Sequence, residues 1–236
     1  KKNEVIKKDV SNNFYIYQIE FKNHIQLGFL SLALLDDFKN NKIKAHEKIY
    51  QNRMQERADQ MNNINTQIGP IYVSYKYDEQ IEKLLKSHIK QDNLNIKTPD
   101  YDFESFDHSI HKLWCVEDFE FNKTLQKNFN NIESLYIADG HHRMGAMSLI
   151  SDKYKSRNKK FENVMIAAFP SNQSKIFDYN RVIKDLNGLT EQKFIELISE
   201  NFVINSEDKA FKPKKKNQFG MYHANKWYSL QFKKKS

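Results

Sequence analysis

Apolar positions recur along this chain with two periods, and the change from one to the other marks most of its elements. Residues 14–20 pack aromatic and β-branched side chains closely enough to predict a strand ending at Glu20, and residues 28–35 make a second apolar run. Over 51–67 the spacing lengthens: Met54, Ala58, Met61, Ile64 and Ile68 come at three- and four-residue steps, which predicts a helix carrying Arg53 and Arg57 one turn apart. Gly69-Pro70 stops it before the strand Ile71–Tyr75. Asp78 then caps a helix with the stripe Ile81, Leu84, Leu85 and Ile89. After a polar connection near Thr98-Pro99-Asp100, residues 111–116 read as a strand and 118–129 as a helix.

Residues 135–138 form a short apolar strand that runs directly into Asp139-Gly140, where a helix begins; Ala146, Met147, Ile150 and Tyr154 continue it. The run 164–169 supplies a buried strand, so strand, turn, helix and strand make an α/β unit. Beyond it lie an extended stretch at 177–183, a helix capped by Thr190 with Phe194, Leu197 and Ile198 inward, and a hairpin through Ala224-Asn225-Lys226. The expected class is α+β, with a main domain over 1–170, a smaller α+β subdomain over 171–236 and no internal repeat.

Composition changes this picture in two places. The 236 residues are enough to bury a core without staples, and the single Cys115 excludes an internal disulfide and the zinc or redox patterns built on paired cysteines. No apolar run of about 18 residues is present, and the segment Lys1-Lys2-Asn3-Glu4-Val5-Ile6-Lys7-Lys8 lacks a signal-peptide core, so a cytoplasmic protein is expected. The formal charge of +8 is a property of the tail: residues 209–236 hold nine lysines and no acid, and removing those nine leaves the first 208 residues at −1. Lys212, Lys214, Lys215 and Lys216 with Lys233, Lys234 and Lys235 offer nonspecific phosphate contact to DNA, or equally a solvated loop and tail.

The segment 139–143 concentrates the chemistry. Gly140 lets backbone amides approach an anion at a helix N-terminus, where negative charge is favoured. Arg143 adds a planar fork of donors, His141 and His142 offer hydrogen bonds to a transferring group, and Asp139 is a candidate ligand for Mg²⁺ bridging phosphates. Other readings compete. A zinc site is disfavoured because adjacent histidines on a helix point about 100° apart. A Walker loop fails, because Ala146-Met147 follows Gly145 where Lys-Ser/Thr is required. A purely structural turn, with Asp139 as cap and the histidines satisfied internally, stays open.

Ala138-Asp139-Gly140-His141-His142-Arg143 resembles the signature of an ADGHHR-type family within the ParB/sulfiredoxin-like superfamily. Leu35-Asp36-Asp37 before Ile43-Lys44-Ala45-His46-Glu47, then Trp114-Cys115-Val116 and Asn180-Arg181-Val182, fall in the order of that family's landmarks. The nearest resemblance is to the free L-serine kinases of staphyloferrin B siderophore clusters, which implies a ParB/sulfiredoxin-like core and transfer of the γ-phosphoryl group of ATP to the serine hydroxyl. The products would be ADP and O-phospho-L-serine, the latter feeding diaminopropionate synthesis. The resemblance assigns nucleotide binding to Gly140, His141, His142 and Arg143, catalysis to Asp139 and His142, and the role of base to Glu20 after the first strand. It makes His46, Glu47 and Arg181 candidates for substrate binding.

The chain also departs from relatives of this group. Sulfiredoxins carry a cysteine where His141 stands, so thiol chemistry is not expected and Cys115 reads as core. ParB proteins carry Gly-Glu-Arg-Arg at the turn, and the family's Thr-His-Arg is Tyr179-Asn180-Arg181 here. The alternative function is a nucleotide-responsive ParB-like DNA-binding regulator, for which the sequence offers lysines but no recognisable recognition helix. Arg53 and Arg57 are open to two readings, a carboxylate ligand or pairing with Glu56 and Asp59 along their own helix.

Overall fold

The computed structural model describes residues 9, 11–91, 95–154 and 159–233, and the expectations for residues 1–8 and for Lys234 and Lys235 fall outside them. The chain divides into two compact units, Lys1–Ile176 and Phe177–Ser236. In the first, β1 (Phe14–Phe21) and β2 (His24–Leu34) make a hairpin whose turn holds Lys22 at a φ of 54°. They are followed by α1 (Leu35–Lys39), β3 (Ile43–Lys44), α2 (Gln51–Ile64), β4 (Ile71–Tyr75), α3 (Glu79–Ile89), β5 (Tyr101–Glu104) and β6 (Ile110–Val116). Then come α4 (Phe119–Asn130), β7 (Leu135–Asp139), α5 (His141–Tyr154), a 3-10 turn (Lys159–Glu162) and β8 (Asn163–Pro170).

The helices start and stop where short side chains satisfy the backbone. Asp78 accepts from the N–H groups of Gln80 and Ile81 at 2.9 and 3.0 Å, and Asp118 accepts from Phe121 at 3.0 Å, caps worth about 1 kcal/mol each. Asn65 ends α2 in the left-handed conformation.

Eight strands form one mixed sheet in the order β3-β7-β4-β8-β2-β1-β6-β5. β4 lies between β7 and β8, antiparallel to the first and parallel to the second. The expected α/β unit is therefore not a parallel pair: α5 joins two antiparallel strands across an intervening one. Ile71, Val73 and Tyr75 alternate inward on β4 with no more than 1% exposure, as a central strand requires. Phe29 anchors the core, meeting Phe129 edge-on at 4.9 Å and Phe14 at 6.0 Å. Burying such a side chain stabilises by roughly 1.5–3 kcal/mol. Gly28 beside it allows β2 to approach β8, because a Cβ there would lie 2.1 Å from the Ala168 carbonyl oxygen.

The second unit joins α6 (Glu191–Asn201) to the three-stranded sheet β10-β11-β9, built from β9 (Phe202–Glu207), β10 (Gln218–His223) and β11 (Lys226–Phe232). Thr190 caps α6 through Lys193, and Ala224-Asn225, both at positive φ, make the two-residue hairpin turn. The stretch 177–183, expected to be extended, is irregular. Among the described residues no helix is long and apolar enough to cross a membrane.

Candidate functional site

The end of β7, the start of α5 and one face of α2 enclose a cleft of about 620 Å³. Gly140, at a φ of 100°, makes the strand-to-helix turn, and its carbonyl accepts the first helical hydrogen bond from Met144 at 2.9 Å. The N–H groups of the first turn of α5 have no partner within the helix, and Gly140, His141, His142 and Arg143 line the cleft.

The two histidines diverge, as adjacent helical residues must, and each reaches the loop between β3 and α2. The His46 N–H donates to Nε2 of His141 at 3.4 Å, and the Tyr50 N–H donates to Nε2 of His142 at 3.4 Å. The His46 ring meets His141 edge-on at 4.5 Å, while Tyr50 stacks on His142 at 6.1 Å. With its lone pair at Nε2, His141 carries its proton on Nδ1, which faces Oε2 of Glu47 at 3.7 Å. His141 is 3% exposed and Glu47 is 61% exposed, so the carboxylate stays open to the cleft.

Arg143 is committed differently from the sequence expectation. Its Nη1 donates to the Pro70 carbonyl at 2.6 Å and its Nη2 to Oδ2 of Asp139 at 2.5 Å. The guanidinium lies against two glycines held at positive φ, Gly69 and Gly140. Arg143 thus ties the α2–β4 connection to the β7–α5 turn, and Asp139 is its partner rather than a free metal ligand. Asp139 keeps one oxygen for an ion. Among the described residues no group of three or more His, Cys, Asp or Glu side chains could hold a metal ion, so Mg²⁺ fits here only with phosphates and water completing its shell.

The free cations come from α2. Arg53, Glu56, Arg57 and Gln60 line the opposite wall at helical spacing. Arg57 donates to Gln60 at 2.9 Å and Arg53 lies 6.0 Å from the Tyr50 ring, and among the described residues neither guanidinium pairs with a carboxylate. Sequence reasoning left these two arginines undecided; their separation by one helical turn was the signal available.

The family model described as Protein of unknown function (DUF1015) matches residues 1–236. The chain belongs to the DUF1015 family. No curated protein and no solved structure matches it.

In this DUF1015 chain Glu20 lies apart from the cleft. Asp139 pairs across the sheet with Tyr72, Tyr72 with Ala167, Ala167 with Leu30 and Leu30 with Tyr15. Glu20 sits at the other end of β1, opposite Ile25 and beside the hairpin turn. It is four strands from β7 at roughly 4.8 Å per strand, and further displaced along the strand direction. Glu20 therefore does not line this cleft, whose carboxylates are Glu47, Glu56 and Asp139. Arg181 belongs to the second unit, where its guanidinium stacks 4.3 Å from the Tyr179 ring. Lys212 pairs with Asp178 at 3.4 Å, and Lys214 and Lys215 donate backbone N–H groups to Gln218 in a loop. The helix of that unit carries Glu191, Glu196 and Glu200, so it is not a basic element suited to a DNA groove.

Burial holds His141 below its ordinary value of 6.5, with His46 acting in the same direction and Glu47 and Asp139 opposing. Burial also lowers His111 and His88. Each imidazole takes up a proton more readily in the unfolded chain, so their contribution to stability is complete above about pH 6.5 and declines as the pH falls through that region. The urea midpoint is accordingly expected to be lower at about pH 5.5 than at about pH 7.5. A midpoint that is equal or higher in acid would contradict the burial of these rings.

Proposed function

We propose that this chain is a ParB/sulfiredoxin-like phosphotransferase that moves the γ-phosphoryl group of ATP to a small hydroxyl acceptor, free L-serine, giving ADP and O-phospho-L-serine. The observation that carries the reading is the composition of one cleft: a helix N-terminus, two guanidinium groups without carboxylate partners, and a solvent-facing carboxylate beside a buried imidazole. Phosphoryl transfer demands little else than positioning and charge stabilisation.

The geometry supports the following roles. The turn Gly140-His141-His142 and the guanidinium groups of Arg53 and Arg57 hold the polyphosphate, while Arg143 keeps the turn in shape through Pro70 and Asp139. Glu47 accepts the proton of the acceptor hydroxyl as its oxygen bonds to the γ-phosphorus and the bond to the bridging oxygen of ADP breaks. At 3.7 Å the Glu47–His141 approach is longer than a hydrogen bond, so the carboxylate is not consumed by its neighbour. Mg²⁺, carried in with the nucleotide and touched by Asp139, would neutralise phosphate charge. The DNA-binding regulator ranks second, because Lys212, Lys214, Lys215 and Lys216 lie in a loop rather than on a helix.

The test is a product assay. Purified protein with ATP, Mg²⁺ and a panel of hydroxyl-bearing amino acids is expected to yield a phosphorylated acceptor by mass spectrometry, O-phospho-L-serine first among them. Absence of any phosphorylated acceptor across ATP, ADP and CTP would end this reading.

A further inference from the structure

The cleft at the start of α5 is suited to phosphates and poorly suited to a base. Charged and polar groups dominate its lining, and among the described residues Met61 and Ile68 are its only large apolar side chains. A purine or pyrimidine needs flat apolar surface on its faces and neutral donors and acceptors at its edge. Those features occur on the other side of Met61.

A second cavity of about 510 Å³ shares Met61 with the cleft and lies between α2, α5 and β8. Its volume is that of an ordinary small-molecule site. Met147, Ile150 and Met165 give it apolar walls, and among the described residues no charged side chain lines it. Its polar groups are mostly amides. Gln67 is already used: its Oε1 accepts from the Met165 N–H at 2.8 Å and its Nε2 donates to the Met165 carbonyl at 3.1 Å, standing in for a strand beside β8. Asn62 and Asn163 are not used, since among the described residues their side-chain amides have no hydrogen-bond partner. An amide offers a donor and an acceptor side by side, the pattern that reads a base edge.

We infer that the cavity beyond Met61 receives the nucleobase of the donor nucleotide, with Asn62 and Asn163 reading its edge. The inference rests on the phosphate reading of the neighbouring cleft. The chain passes from one cavity to the other within residues 67–69, so one nucleotide lying across this segment occupies both. Met61, unbranched and adaptable, forms the partition where the sugar would cross.

Calorimetric titration of the full chain separates the two claims. The ligands are tripolyphosphate, ADP, and the nucleosides adenosine, guanosine and cytidine. ADP is expected to bind at least about tenfold more tightly than tripolyphosphate, and at least one nucleoside to bind alone. The double variant Asn62→Ala/Asn163→Leu should lose that tenfold gain and the nucleoside affinity, while tripolyphosphate binds as before and far-UV circular dichroism is unchanged. If tripolyphosphate binds but ADP is no tighter and no nucleoside binds, the base pocket is wrong and the phosphate cleft survives. If a nucleoside binds in a variant-sensitive way and tripolyphosphate does not bind, the pocket stands and the phosphate reading falls. Binding of neither overturns both, and equal loss of ADP and tripolyphosphate in the double variant overturns the pocket.

Discussion

Replacing Glu47 by glutamine is expected to lower kcat for the proposed phosphoryl transfer by roughly 10²–10⁴-fold, the usual loss when a general base is removed, with little change in nucleotide affinity. The substitution keeps the size and hydrogen-bonding reach of the side chain but removes the charge and basicity that would let it take the hydroxyl proton. Glu47 is the cleft carboxylate best placed for that step. Asp139 is bound to Arg143, and Glu56 stands on the opposite wall beside the arginines assigned to phosphate. Steady-state kinetics on Glu47→Gln and Glu20→Gln side by side decide the matter. Glu20 lies at the far end of β1, so its variant should keep near-normal activity. A loss confined to Glu20→Gln would show that the cleft has been assigned the wrong base.

Gly28→Ala is expected to destabilise the eight-stranded sheet strongly. The new Cβ would stand 2.1 Å from the Ala168 carbonyl oxygen and 2.7 Å from Cδ1 of Phe169. The first of these is backbone, held in register by the pairing of Phe29 with Ala168 and Leu30 with Ala167, so relief requires parting β2 from β8. Overpacking of this kind costs about 3 kcal/mol or more at an unyielding site, a fall in melting temperature of roughly 6–12 °C for a domain of this size. Thermal unfolding followed by circular dichroism measures it. A melting temperature within about 2 °C of the parent would mean that the two strands are not so closely apposed.

Local chemistry was legible in the sequence and spatial neighbourhood was not. Asp78, Asp118 and Thr190 announce their helices because a short oxygen at the right offset satisfies backbone groups three residues away. Ala224-Asn225 announces its hairpin, and Gly140 its turn, for equally local reasons. The order of strands is set by packing between distant segments, and periodicity carries no trace of it. That is why periodicity does not show β4 between β7 and β8, or that Glu47 and not Glu20 lines the cleft beside the turn. The pairing of Arg143 with Asp139 and Pro70 was hidden in the same way, since an arginine beside a glycine turn reads alike whether it meets phosphate or its own chain.

The tethering of the β3–α2 loop has a consequence for how the cleft would act. With the backbone at His46 fastened by one imidazole and that at Tyr50 by the next, the intervening carboxylate has anchored ends. It can approach or leave a bound hydroxyl only by rotating its own side-chain bonds. The entropy lost in assembling the reactive arrangement is then that of a few torsions rather than of a mobile segment, and turnover need not wait on a slow rearrangement of the main chain.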